Sequence, residues 1–156
     1  GTLSTTHNTT DANGVATVAL TSTPTKATAN VYAICQGVEG ACKVNFTPAT
    51  KIKVSADPTS IPKSGGTSTI TVQFIDANGA NVAQAGITIE VKLSWAGKGK
   101  SPTLTYEDQS GASVTVTTDK NGQATILLTA QGGSGTATIT ASASGLSSGS
   151  ITVNLT

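Results

Sequence analysis

From Ile52 onward apolar and polar side chains alternate with a period of two. Ile70, Val72 and Phe74 share one phase; Ile87, Ile89, Val91, Leu93 and Trp95 share another, with Thr88, Glu90, Lys92 and Ser94 between them. Successive side chains of an extended strand point to opposite faces, so each run predicts a strand with one buried face. Val114 and Val116, then Ala124, Ile126 and Leu128, then Ala137, Ile139 and Ala141, and finally Ile151, Val153 and Leu155 follow the same rule at the spacing of strand, turn, strand. Seven or so short antiparallel strands with no helical period predict a sandwich of two sheets. Trp95 falls on the inward phase and is expected in the core or at its rim, rather than as an exposed platform for a sugar ring.

The pattern also occurs twice. TTDANGVATVALT, residues 9 to 21, returns as TTDKNGQATILLT, residues 117 to 129, with nine of thirteen positions identical. TANVYAICQG and ACKVNFT then return as TATITASASG and SITVNLT. The stretch from Lys51 to Gly111 precedes the second copy and has no counterpart before the first. Residues 1–48 are therefore expected to form the carboxyl-terminal half of one sandwich, and residues 49–156 a complete one. Val18, Leu20, Val31, Val44 and Phe46 lie on the apolar phase of the half copy and predict an open-edged apolar face, together with Ala16 and Ala33. So short a fragment buries too little apolar surface to offset chain entropy alone, so strands from outside these residues are expected to complete it.

Asp11-Ala12-Asn13-Gly14, Asp76-Ala77-Asn78-Gly79 and Asp119-Lys120-Asn121-Gly122 each separate two alternating runs. Asn and Gly accept positive φ and the Asp carboxylate can cap the turn, so these are hairpin signals. A calcium loop would need a later bidentate acid, and Val-Ala-Thr, Ala-Asn-Val and Gln-Ala-Thr follow instead. Cys35 and Cys42 flank QGVEGA between two alternating runs. A hairpin with its tip between Val38 and Glu39 would set the two thiols directly opposite, and a cross-strand disulfide is the expectation. A redox or metal role would need a CxxC spacing or further soft ligands.

A strand ending in F-I-D-A-N-G, then A-G-I-T-I-E-V, then T-T-D-x-N-G-x-A-T, and a closing T-A-T-I-T-A resemble the prokaryotic immunoglobulin-like repeats of the intimin and invasin type. The resemblance spans residues 50 to 156; residues 1 to 48 match only the second half of such a repeat, with Gly1-Thr2-Leu3-Ser4 similar to its mid-domain segment. It implies an all-β fold of tandem immunoglobulin-like β-sandwiches, the first incomplete in its N-terminal half. It also implies stalk, adhesin or filament modules on a prokaryotic cell surface, without catalytic residues or a cofactor. The truncated first copy and the cysteine pair depart from that pattern.

Composition narrows the function further. Only 11% of residues are charged and 3% aromatic, Arg and Met are absent, and Ser and Thr fill more than a quarter of the chain. A net charge of +1 with dispersed Lys offers no surface for a phosphate backbone, which argues against nucleic acid. No window is long and apolar enough to span a bilayer. Low charge, many hydroxyls and paired Cys favour an extracellular setting. His7 is the sole His, and no nucleophile, base and orienting group can be assembled around it. An isopeptide staple between Lys53 and Asn154 with Glu90 as the acid fits in order, but all three fall on polar phases. Asn8-Thr9-Thr10, Asn45-Phe46-Thr47 and Asn154-Leu155-Thr156 read as glycosylation acceptors. The function expected is a non-enzymatic structural module of a surface filament or stalk, whose partners are copies of itself or upstream repeats. The alternative is a distal adhesin module that binds a cell-surface receptor or glycan, with the lysine-bearing segment from Trp95 to Tyr106 as the recognition loop.

Overall fold

The computed structural model describes residues 2–21 and 27–156. The chain divides into two compact units, Gly1–Pro48 and Ala49–Thr156. In the first, β1 (Thr2–Leu3) pairs antiparallel with β2 (Leu20–Thr21), and β3 (Ala27–Cys35) pairs antiparallel with β4 (Val38–Phe46).

In the second unit the strands are β5 (Lys51–Asp57), β6 (Ser60–Ile61), β7 (Ser64–Ile75), β8 (Thr88–Lys98), β9 (Thr103–Tyr106), β10 (Gln109–Gly111), β11 (Ser113–Thr117), β12 (Gln123–Gln131), β13 (Ser134–Ser142) and β14 (Gly149–Leu155). They form two five-stranded sheets, ordered β10-β9-β12-β7-β5 and β11-β8-β13-β14-β6. Ile70, Val72 and Phe74 of β7, Ile126 and Leu128 of β12 and Leu104 of β9 meet Ile89 and Val91 of β8, Ile139 of β13 and Val153 of β14 in one core. Each of these positions lies on the inward phase of its strand, and a large aliphatic side chain so buried contributes roughly 1.5–3 kcal/mol. The architecture is all-β and consistent with a sandwich.

The strands outnumber the seven or so that the alternation suggests, because short edge pieces such as β6 and β10 carry too few residues to show a period. β5 and β6 are separated by Pro58 and followed by Pro62, which have no N–H to continue a ladder. The chain changes sheets there: β5 pairs β7, whereas β6 runs parallel to β14, with Asn154 opposite Ser60. Trp95 is half-buried against the core at the end of β8, and its ring fills the space that a Cβ on Gly97 would need. Its indole Nε1 is buried without a hydrogen-bond partner.

The cysteine hairpin exists, but not in the expected register. Gln36 and Gly37 form a two-residue turn with φ of 49° and 82°, the left-handed pair of a type I′ hairpin. Cys35 therefore faces Val38, and Cys42 faces Val31. The thiols share a face but sit four residues apart along it, about 13 Å at strand rise, beyond the reach of a disulfide. Both are free and exposed. The expected Cys35–Cys42 bridge is thus overturned, because Gly37 rather than Gly40 takes the positive φ that closes the hairpin.

Candidate functional site

The repeat is visible in hydrogen bonds as well as letters. Thr28 Oγ1 donates to Asn45 Oδ1 at 2.8 Å across β3 and β4, and Thr136 Oγ1 donates to Asn154 Oδ1 at 3.2 Å across β13 and β14. Ala33 faces Gly40 as Ala141 faces Gly149. The two hairpins therefore share one register, with different surroundings. A Cβ on Gly149 would overlap the Ile52 carbonyl oxygen of β5, whereas one on Gly40 would meet nothing within 4 Å. β13 lies between β8 and β14, whereas β3 pairs only with β4 among the described residues.

That difference leaves apolar side chains uncovered. Val31, Val44, Phe46 and Leu20 are half-buried, and Val18 is 39% exposed. No described residue of the first unit is buried. On the opposite face of the β3–β4 hairpin, Tyr32 and Ile34 are 59% and 70% exposed, while Val38, beside the turn on the Val31 face and paired with Cys35, is 74% exposed. An open concavity of about 630 Å³ lies at the other end of the hairpin, lined by Ala27, Thr28, Asn45, Phe46 and Thr47. Sequence reasoning marked the Val31–Phe46 face but missed Tyr32, Ile34 and Val38. The signal was present, since ANVYAI is apolar on both phases towards its end, as in strands covered on both sides.

The three Asp-x-Asn-Gly turns are built alike. Asp11 Oδ1 accepts from the N–H groups of Asn13 and Val15, Asp76 Oδ1 from those of Asn78 and Ala80, and Asp119 Oδ1 from those of Asn121 and Gln123. The backbone N–H of Val15, then that of Asn13, holds the Asp11 carboxyl below its ordinary pKa. Asp119 is lowered chiefly by the N–H of Gln123, against a partial desolvation. Gly14, Gly79 and Gly122 take φ of 77°, 85° and 73° in these turns. Gln73 is buried on the polar phase of β7 and donates to the carbonyls of Phe74 at 3.0 Å and Asn121 at 3.1 Å, tying the third turn to its strand.

Asn8, Asn45 and Asn154 are all exposed. Asn8 Nδ2 donates to the Thr17 carbonyl at 2.7 Å. Lys53, Glu90 and Asn154 are exposed too, and Glu90 instead pairs with Lys92 at 2.9 Å. No helix of the described residues is long and apolar enough to cross a membrane.

A family model, glycoside hydrolase family 2 C-terminal domain 5, matches residues 52–152. No curated protein matches the chain. Among solved structures, a glycosyl hydrolase family 2 member from Bacteroides cellulosilyticus aligns with TM-score 0.57 and 21% identity, covering 81% of this chain and 18% of its own. The adhesin InvE of Yersinia pseudotuberculosis aligns with TM-score 0.54 and 21% identity over 99% of this chain and 47% of its own. A β-glycosidase from Bacteroides vulgatus aligns with TM-score 0.54 and 15% identity over 91% of this chain and 19% of its own. The chain spans less than a fifth of the length of these hydrolases, and the likenesses show the fold alone. That fold is one that bacterial adhesins and hydrolase accessory domains share. The matched family is a carboxyl-terminal domain and not a catalytic one, so the module is non-enzymatic. By its match over residues 52–152, the chain belongs to the glycoside hydrolase family 2 C-terminal domain 5 family.

Proposed function

We propose that the chain is a non-catalytic module of a surface-exposed prokaryotic protein of the adhesin type, in which the closed carboxyl-terminal unit is the support and the amino-terminal unit makes contact. One observation carries this reading. The two copies share sequence and hairpin register, yet every buried hydrophobic residue lies from Ile52 onward, while Val18, Tyr32, Ile34 and Val38 of the first copy stay exposed. Exposed apolar rows of this kind mark interaction surfaces on otherwise polar proteins. The partner on this reading is a cell-surface receptor or glycan. Beads bearing the whole chain should be retained on cells or on a glycan panel, and Ile34→Lys with Val38→Lys should abolish retention. Equal retention of the parent and the double variant, or none of either, would overturn it.

The structural reading, a filament or stalk segment, draws on the same surface. Here residues 1–48 form half of a sandwich, and residues 49–156 a complete immunoglobulin-like one. A neighbouring subunit or an upstream repeat supplies the missing strands. The mass of the native polypeptide under denaturing conditions, together with negative-stain microscopy, separates the two. Filaments of a chain near 15.4 kDa favour assembly between subunits. Dispersed particles without filaments oppose it. Glycans on Asn8, Asn45 and Asn154 would suit either setting, and an intact mass equal to the bare chain would remove them.

A further inference from the structure

In the second unit β13 is held on one side by β14 and on the other by β8, along a ladder from Ser134 opposite Lys98 to Ser142 opposite Glu90. In the first unit β3 repeats β13, and β4 repeats β14, in the same register. The outer edge of β3 has no strand beside it among the described residues. An unpaired edge offers a row of N–H and C=O groups at strand spacing, which is a template for another strand.

The side chains along that edge are also repeated. On the apolar face of β13, Ala137, Ile139 and Ala141 stand opposite Trp95, Leu93 and Val91 of β8. At the equivalent places β3 carries Ala29, Val31 and Ala33, again small, branched, small. A small residue at Ala29 leaves room beside it for a large one on the incoming strand, as Ala137 does for Trp95. We infer that the outer edge of β3 is a docking site for an extended peptide segment that binds antiparallel, alternates apolar and polar residues, and sets a large apolar side chain opposite Ala29. The occupant is a segment of the β8 kind, and the interface it would complete is one this chain already makes between β8 and β13. This rests on the reading of the first unit as the contact unit, and specifies the chemistry of what it contacts.

The test uses the whole chain and, as probe, a synthetic peptide of residues 88–98, TIEVKLSWAGK. Amide hydrogen exchange is followed by NMR. In an antiparallel ladder alternate amides point to each side, so only the amides of Ala27–Cys35 that face away from β4 gain a partner. At ten times its dissociation constant the peptide should slow those amides by about tenfold. A peptide with Leu93→Pro should not, because proline removes a ladder donor. Three results would overturn the inference: no slowing at millimolar peptide, equal slowing by the proline peptide or a scrambled one, or protection that falls on β4 instead. Cell or glycan retention is a separate readout. If retention survives while the peptide fails, strand docking is lost and the contact reading stands.

Discussion

At the scale of single residues, the turn aspartates and the two thiols carry the sharpest expectations. Asp76 is 7% exposed, and its Oδ1 serves two backbone N–H groups at 2.9 Å. Asp76→Ala removes that acceptor and should destabilise the second unit by about 1–3 kcal/mol in urea unfolding, with Asp76→Asn costing less because it keeps an acceptor. An alanine variant with an unchanged midpoint would remove this account of the turn. The Asp11 and Asp119 carboxyls are held below their ordinary value by the N–H groups they accept from. A carboxyl whose folded pKa is depressed lends stability that is full above the unfolded value, near 3.9, and is lost as pH falls through the lower folded value. NMR titration of the Asp119 carboxyl should therefore give a midpoint below that of an unstructured Asp. As for the thiols, Cys35 and Cys42 stand opposite Val38 and Val31, so both should react with maleimide in the native, unreduced chain. A mass showing neither thiol modified would restore the bridge.

At the scale of elements, the two hairpins are an internal control. Gly149 and Gly40 occupy the same register position, one pressed against the Ile52 carbonyl of β5 and the other in open space. Gly149→Ala should cost about 1–3 kcal/mol through displaced backbone, and Gly40→Ala should leave thermal unfolding unchanged. Equal effects would mean that the two hairpins see like surroundings. The same contrast explains what was legible in the sequence. Strands such as β7, β8, β12 and β13 have enough residues for a period of two to emerge, and the inward face of each carries buried residues, so alternation and burial coincide. The Asp-x-Asn-Gly turns were legible because each needs a positive φ at its Gly and an acceptor at its Asp. The cysteine hairpin was misread because QGVEGA holds two glycines, and letters alone do not say which takes the left-handed turn. Trp95 was placed in the core or at its rim by its phase, but its fit against Gly97 depends on the ring's direction, which alternation does not encode. The outward Tyr32 and Ile34 escaped because a strand apolar on both phases has no preferred inside.

At the scale of the molecule, the uneven distribution of core predicts uneven stability. Opening free energies within one protein range from near zero to the global value, and they follow buried apolar contact and covered backbone. Phe74, Ile89, Leu104, Ile126 and Ile139 are fully enclosed in the second unit, whereas the first unit holds two two-stranded ladders with none of its described residues buried. Two-stranded ribbons alone are marginal in water. Amides of β7, β8, β12 and β13 should accordingly exchange only at the rate set by global unfolding, and those of β1 to β4 several orders of magnitude faster. Calorimetry should show one cooperative transition that belongs to residues 49–156. Because a ligand stabilises only the state that binds it, a partner that covers β3 should slow exchange at the β3 amides that face away from β4 and leave the amides of β7 and β12 as they were. Uniform protection across both units in the free chain would mean that the first unit is stable by means other than burial, and the case for an uncovered contact surface would lose its physical ground.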